Sequence, residues 1–386
     1  MGVWKDCTLA DLGNIVGGAT PSTKNPSNYE NGNISWITPK DLSGFQGRYI
    51  SHGERNITEQ GLNSCSTQLL PKNSILFSSR APIGYVAIAD KELCTNQGFK
   101  SIVPNENTDY LFLYYLLKYN KTNIENMGSG TTFKEVSGNT MRSIPVRVPI
   151  DKEEQSKIAK ILGCIDDKIE ENAKINYNLE QQAQSLYQQM FIENASSDWK
   201  EGSLSDVADI TMGQSPSGSS YNEDGIGTIF FQGRAEFGFR FPSVRLFTTE
   251  PKRMARSNDT LMSVRAPVGD LNVAHMDCCI GRGLAAIHSK TNHQSFVHYT
   301  MFSLRKQLDV FNGEGTVFGS INRNALNEMP IIIPSNEKLA EFEDLVSPMD
   351  EIIRNNYNEI CRLEAIRDSL LPKLMSGELD ISNITI

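Results

Sequence analysis

The chain repeats itself, and that repeat limits what it can fold into more than any other feature. Arg80-Ala-Pro-Ile-Gly84 aligns with Arg265-Ala-Pro-Val-Gly269 at an offset of 185 residues. The same offset relates Cys94 to Cys279, Gly98 to Gly283, Gly130-Thr131 to Gly315-Thr316, and the run 143–149 (SIPVRVP) to 328–334 (EMPIIIP). Upstream, Trp4 matches Trp199 and Gly18-Ala-Thr-Pro-Ser22 matches Gly213-Gln-Ser-Pro-Ser217 at an offset of 195. The first copy therefore carries ten extra residues between 22 and 80. Solenoid units run to about 20–50 residues, so a repeat of this length is a duplicated domain.

Each copy ends in a second kind of segment. From Ile158, seam positions fall alternately four and three residues apart: Ile158, Leu162, Ile165, Ile169, Asn172, Asn176, Leu179, Ala183, Leu186 and Met190. That is a heptad stripe. At an offset of 184 the second copy reads Phe342, Val346, Met349, Ile353, Asn356, Ile360, Leu363, Arg367, Leu370 and Leu374. At ~1.5 Å per residue, the stretch from Ile158 to Met190 spans about 50 Å as a helix.

Neither helix buries its stripe alone, so the pattern predicts that the two pack on each other. A pseudo-two-fold axis from the duplication makes the pair antiparallel and puts one globular domain at each end of a rod. The expected order is a domain over 1–150, a long helix over 151–193, a domain over 194–334, and a long helix with a tail over 335–386. The fold class is α+β, with two mixed α/β domains joined by an antiparallel coiled-coil pair. Asn172, Asn176 and Asn356 lie in the seams, where they either fix register at a cost in stability or point to solvent. Arg367 interrupts the second seam and is expected to snorkel to its edge. Within the first domain, 74–90 reads as strand, turn, strand, and 110–120 as a buried helix matched by 296–310. Pro145 and Pro149 bracket a short apolar strand.

Composition bounds the function. Apolar residues make up 39% and charged residues 22%, the mix of a globular chain rather than a disordered or disulfide-stapled one. No run approaches the ~20 apolar residues of a membrane helix, and the N-terminus lacks the basic and apolar regions of a secretory signal. Seven cysteines without paired spacing suit a reducing cytosol, so a cytoplasmic location is expected. The net charge of −9 argues against nucleic acid only until it is divided. The two domains carry +2 and −1, and the two helical segments −4 and −6.

Catalytic patterns are missing. The chain has no G-x-x-x-x-G-K-[ST], no C-x-x-C, no H-E-x-x-H and no Asn-Pro-Pro-aromatic run. Gly128-Ser-Gly130 and Gly313-Glu-Gly315 read as loops, and His275 with Cys278 and Cys279 reads as buried strand packing, because the aligned copy keeps only Cys94. Four of the five histidines sit in one copy, which excludes a reaction needing histidine in both.

Taken in order, Gly17-Gly-Ala-Thr-Pro-Ser22, Trp36-Ile-Thr-Pro-Lys-Asp41, Arg80-Ala-Pro-Ile-Gly84, Asn96-Gln-Gly98, Gly128-Ser-Gly-Thr131, Ile144-Pro-Val-Arg-Val-Pro149 and Leu370-Leu-Pro-Lys-Leu-Met-Ser-Gly-Glu-Leu379 form a recognisable series. With the tandem arrangement of domain and helix, the chain resembles the DNA-specificity subunit of Type I restriction-modification systems over nearly its whole length. The second copy departs at Phe230-Phe-Gln-Gly233 and Gly281-Arg-Gly283.

The resemblance implies a subunit with no catalysis of its own. Each domain is a target recognition domain that reads one half of a split, asymmetric site in double-stranded DNA. The helices space the domains and dock two methyltransferase subunits, and restriction/translocase subunits complete the complex. S-adenosylmethionine, ATP and Mg are then expected on the partners, with no cofactor, metal or membrane on this chain. A ~50 Å rod suits readers one to one and a half turns of B-DNA apart, at roughly 34–36 Å per turn.

Near-neutral domains bind DNA if their cations converge. The candidates in the first domain are Lys24, Lys40, Arg48, Arg80, Lys100 and Lys134, with Thr131 and Thr132 as neutral contacts; in the second they are Gln232, Arg234, Arg240, Arg265, Arg282 and Thr316. Arg80 and Arg265 are repeated, which suits a phosphate contact or a structural turn. Residues that read sequence belong among the unrepeated ones, such as Lys40, Arg48, Gln232 and Arg234. The acidic outer faces of the helices suit a docked partner better than DNA. Two other readings stay open: a non-DNA scaffold with two binding modules, and part of a fused restriction-modification enzyme.

Overall fold

The computed structural model describes residues 3–130, 134–313 and 319–381. It divides into two compact units, Met1–Glu171 with Glu359–Ile386, and Asn172–Asn358. Each unit holds one globular domain and half of each long helix. The helices therefore form no separate body.

In the first unit, Trp4–Thr8 pairs antiparallel with Pro145–Pro149, tying the start of the domain to the strand that leads into the first long helix. A five-stranded sheet follows, in the order Gly13–Gly17, Lys100–Pro104, Ile75–Ser79, Ile83–Ala89, Tyr49–Ile50. A three-stranded sheet sets Ile34–Ile37 between Arg55–Ile57 and Cys94–Thr95. Its pairing with Cys94–Thr95 is parallel, with Trp36 opposite Cys94. Ile75–Ser79 is buried along its length, which is why its sequence shows a continuous rather than an alternating apolar run.

The helix Tyr110–Tyr119 is apolar all round because it lies between sheet and long helix. The Asp109 carboxylate caps it, accepting from the Phe112 amide at 2.8 Å.

The second unit repeats the scheme. Lys200–Ser203 pairs with Pro330–Ile333. A four-stranded sheet runs Ala208–Met212, Leu284–Ser289, Thr260–Ser263, Leu271–Val273, and a five-stranded sheet contains Thr228–Phe231 parallel to Cys278–Ile280. The helix expected over 296–310 is shorter and broken. Gln294–Ser303 is followed by Arg305–Leu308 and a 3-10 turn at Asp309–Asn312, with buried Leu304 at the junction of the two helices.

The long helices span Lys152–Tyr187 and Asn336–Met375, and the first continues into a π-helical turn, Gln188–Glu193. In the first unit, Ile158 and Leu162 share a core with Leu370 and Leu374. In the second, Asn176 meets Asn356 while Tyr187, eleven residues on, packs its ring 5.9 Å from that of Phe342, fourteen residues back. The helix segments in that unit run antiparallel. Every seam residue named above is buried or half-buried. Asn172 and Asn176 are buried, and Asn356 donates to the Asn176 side-chain oxygen at 2.8 Å, so these amides do not point to solvent.

Arg367 does not snorkel. Its guanidinium turns inward to Asp166 at 2.9 Å, where an unpaired buried carboxylate would be costly.

Candidate nucleic-acid interface

In the first domain three sequence motifs meet at the ends of the parallel strand pair. The Asn96 amide donates to the Ile37 carbonyl at 2.9 Å, bringing Asn96-Gln-Gly98 against Thr38-Pro-Lys40. Gly18 lies so close that a Cβ there would stand 2.2 Å from the Asn96 carbonyl oxygen, so no other residue fits. The Trp36 indole donates to the Ala19 carbonyl at 3.1 Å and the Thr20 hydroxyl donates to Gln97 Oε1. The amide of Ser79 donates to the Gly98 carbonyl at 2.7 Å, which sets the Arg80 turn beside this cluster. Arg80 and Lys100 then share Glu135, at 3.8 and 3.4 Å.

The second domain builds the same frame from different side chains. The Gly281 amide donates to the Phe231 carbonyl at 2.8 Å, and a Cβ on Gly213 would stand 2.1 Å from the Gly281 carbonyl oxygen. The Val264 amide donates to the Gly283 carbonyl at 2.9 Å, setting Arg265 in the place of Arg80. The Arg282 amide donates to Ser215 Oγ at 3.3 Å. Gln232 and Arg234 follow the strand end as Thr38 and Lys40 do in the first domain.

The expected contact residues divide by burial. Lys24, Lys40, Lys134, Gln232, Arg234, Arg265 and Arg282 are exposed, and Arg80 and Lys100 are half-buried. Thr131, Thr132 and Thr316 lie outside the described residues. Lys40 pairs with Glu54 at 2.7 Å, and Arg234 with Asp270. Exposed pairs of this kind contribute about 0–1 kcal/mol, so a phosphate can displace the carboxylate.

Arg48 and Arg240 must be removed from the contact set. Arg48 is 4% exposed and its guanidinium is held by Glu170 at 2.8 Å, by Asp167 and by the Gly163 carbonyl at 3.4 Å. Arg240, 5% exposed, is held by Glu180 at 3.2 Å and by Asp350. Both face the long helices within their own unit. The expectation failed because a lone arginine in sequence does not show whether its charge is neutralised inside.

The His275, Cys278 and Cys279 cluster is likewise structural. His275 Nδ1 sits 2.7 Å from Arg354, and burial pushes the Cys278 thiol up to about 12. Among the described residues no group of three or more His, Cys, Asp or Glu side chains is placed to hold a metal, and no helix is long and apolar enough to cross a membrane.

Comparison with known proteins decides the family. The Type I restriction modification DNA specificity domain matches residues 1–181 and again 196–362. The chain belongs to this family. It is similar to the Type I restriction enzyme MjaIX specificity subunit of Methanocaldococcus jannaschii, 33% identical over 99% of this chain and 94% of that protein. It also matches the putative Type I restriction enzyme MjaX specificity subunit of the same organism, 30% identical over 80% of this chain and 78% of that one. The crystal structure of a Type I restriction-modification S subunit from M. genitalium shares the fold at a TM-score of 0.64, covering 97% of this chain and 96% of that one at 18% identity. The two globular domains are accordingly the target recognition domains of a specificity subunit, and the scaffold and fused-enzyme readings lose their ground.

What sequence reasoning missed in this specificity subunit is how each recognition domain is fixed to its helix segments. Tyr115 donates to Asp166 at 2.7 Å, and Tyr299 to Asp350 at 3.0 Å, at positions related by the same 184-residue offset as the seams. Burial pushes both phenols well above their ordinary range, and the neighbouring carboxylates push them further. Burial opposes the Arg48 charge, but its bonds to Glu170 and Asp167 outweigh that and raise its pKa.

His298 is buried against Arg240, with Nε2 at 2.7 Å from the guanidinium and Nδ1 at 3.1 Å from Thr260 Oγ1. An atom facing a guanidinium must accept, so Nδ1 carries the proton. Burial and the Arg240 charge both hold this ring neutral. The readable signal was the pair Asp166 and Asp350, a carboxylate repeated beside both seams.

Proposed function

We propose that the three-loop face of each recognition domain reads one half of a bipartite, asymmetric site in double-stranded DNA. The observation that carries this is one backbone frame occurring twice with different exposed side chains, Lys40 and Gln97 beside half-buried Thr38 in one copy and Gln232, Arg234 and Arg282 in the other. A common frame places both readers alike on a duplex, and unlike side chains make the halves differ. Arg80, Lys100 and Lys134 in the first domain and Arg265 in the second supply phosphate contacts. The long helices, flanking recognition domains over 1–150 and 194–334, set the gap and dock two methyltransferase subunits. Those partners hold S-adenosylmethionine and methylate adenine, and a restriction/translocase subunit uses ATP and Mg. This chain contributes specificity and no catalytic group, and it works in the cytoplasm.

The test is co-expression of the full chain with a methyltransferase subunit of such a system, followed by genome-wide mapping of methylated adenines. A split, asymmetric motif supports the reading, and replacing residues 1–150 by those of a relative changes only one half of it. A contiguous motif, or a swap that alters both halves, refutes it.

A further inference from the structure

One position in the frame is fixed by backbone on both sides and differs between the domains. In the first domain, Asn96 is tied to the Ile37 carbonyl and Gly98 to the Ser79 amide, with Gln97 exposed between them. In the second, Gly281 is tied to the Phe231 carbonyl and Gly283 to the Val264 amide, with Arg282 exposed between them. The neighbours are equivalent as well. Thr20 donates its hydroxyl to Gln97 Oε1, and Ser215, at the position equivalent to Thr20, accepts the amide of Arg282.

Among the other unrepeated positions, Gln232 is exposed but lies outside this doubly tied loop, and three are engaged by carboxylates. The Thr38 hydroxyl donates to Asp41 at 2.7 Å, Lys40 pairs with Glu54, and Arg234 with Asp270. The guanidinium of Arg282 has no ion-pair partner among the described residues.

A base reader needs a rigid root, an exposed tip and edge-matching chemistry. A glutamine amide matches the N6 and N7 edge of adenine in the major groove, and a guanidinium matches the O6 and N7 edge of guanine. Thr20 leaves the Gln97 Nε2 hydrogens and one Oε1 lone pair free for that pairing, with the amide oriented. We infer that Gln97 and Arg282 are equivalent base-reading positions, Gln97 selecting adenine in one half-site and Arg282 selecting guanine in the other. Thr20 is a positioning residue for Gln97. This rests on the DNA-reading face proposed above.

The experiment compares methylation motifs of the full chain and its variants, each co-expressed with the methyltransferase subunit. Gln97→Arg changes one position of one half-site from adenine to guanine, and Arg282→Gln makes the reverse change in the other half. Each shifts preference about ten- to hundred-fold at that position alone. Gln97→Glu is isosteric on an exposed side chain and moves the same position toward cytosine, so the test survives if an arginine does not fit. Unchanged motifs in folded variants overturn the inference while leaving the face intact. So do changes at several positions, or loss of all methylation by a folded Gln97→Glu protein. A wild-type chain that gives no split motif removes the DNA-reading face itself, and the inference falls with it.

Discussion

Tyr115 donates its phenol to the buried carboxylate of Asp166 at 2.7 Å. The bond joins the apolar helix of the first recognition domain to the long helix beside it, and Arg367 meets the same carboxylate from the second long helix. Removing one donor leaves a buried charge under-satisfied. Tyr115→Phe is expected to cost about 1–3 kcal/mol. Asp166→Ala leaves the Tyr115 hydroxyl unpaired and takes one of two carboxylates from Arg367, which keeps Asp368 at 2.9 Å, and is expected to cost at least as much as Tyr115→Phe. Denaturant unfolding of the two variants measures both, and a Tyr115→Phe protein as stable as wild type contradicts the anchoring role.

Arg48 and Arg240 act on stability rather than on sequence choice. Each neutralises two carboxylates inside its own unit, Asp167 and Glu170 for Arg48, Glu180 and Asp350 for Arg240. Arg240→Ala leaves that pair facing each other in a buried site, and a loss of about 3–5 kcal/mol is expected. Whatever folded Arg48→Ala or Arg240→Ala protein remains should methylate an unaltered motif. A changed base preference in either variant returns these residues to the contact set.

How much of this was legible depends on separation along the chain. The 185-residue offset is a local comparison, and it brings Asn96-Gln-Gly98 and Gly281-Arg-Gly283 to equivalent places in space because each sits at the end of the same parallel strand. The heptad at Ile158 and Phe342 is equally local, since spacing alone defines a stripe. Arg48 lies 119 and 122 residues from its partners Asp167 and Glu170, so nothing near it in sequence revealed its burial. Arg367 looked like a flaw for the same reason, because Asp166 is 201 residues away. Gln97 was read only as part of the Asn96-Gln-Gly98 motif; its alignment with Arg282 at the 185-residue offset was the available signal. The boundary that splits each long helix between two compact units has no local signature, since the heptad runs through it unbroken.

His298 makes the second unit acid-sensitive. The ring is neutral in the fold because it is buried beside Arg240, whose charge is held in turn by Glu180 and Asp350. An unfolded histidine titrates near 6.5. Below that pH the unfolded chain binds a proton that the folded chain refuses, so stability present above about pH 6.5 is lost as pH falls. Buried Glu180 and Glu343 have raised pKa values and act in the opposite direction, losing stability as pH rises from their ordinary range. Comparison with His298→Gln isolates the histidine. From pH 7.5 to 5.5, wild type should lose stability relative to the variant, with a limiting slope of about 1.4 kcal/mol per pH unit. Parallel curves of unfolding free energy against pH exclude the effect.

Arg80 and Arg265 occupy equivalent turns, and a residue shared by two readers of unlike sequence carries position rather than sequence. Each is expected to contact phosphate. Arg80→Ala should weaken binding uniformly across sequences and lower the slope of log affinity against log salt by about 0.9. Arg265→Ala should do the same, and the double variant should lose both contributions. The loss of the Arg80–Glu135 pair, 3.8 Å long and partly exposed, contributes little to stability. Titration of a labelled duplex carrying the methylated motif, with methyltransferase present and salt varied, reads the slope. A slope that stays at the wild-type value assigns both arginines to the turn alone.

Asn176 and Asn356 form the polar step in the seam of the second unit. Asn356 donates to Asn176 Oδ1 at 2.8 Å, and Asn176 donates to the Ile353 carbonyl at 3.4 Å. Exchanging one amide for an apolar side chain leaves the other without its partner in a buried setting, so Asn176→Leu should cost about 1–3 kcal/mol. Exchanging both removes the unsatisfied group and adds apolar contact, as at any other seam position. The double variant Asn176→Leu, Asn356→Leu should therefore recover at least the loss of the single one, with a coupling energy of about 0.5–3 kcal/mol in the cycle. What the double variant gives up is a polar pairing that is specific to one register. A disulfide between cysteines placed at Leu179 and Ile353, which belong to one hydrophobic cluster, reports on that register. It should form readily in the otherwise wild-type chain and less completely in the double-leucine background. Equal cross-linking in both shows that the apolar seam alone sets the alignment.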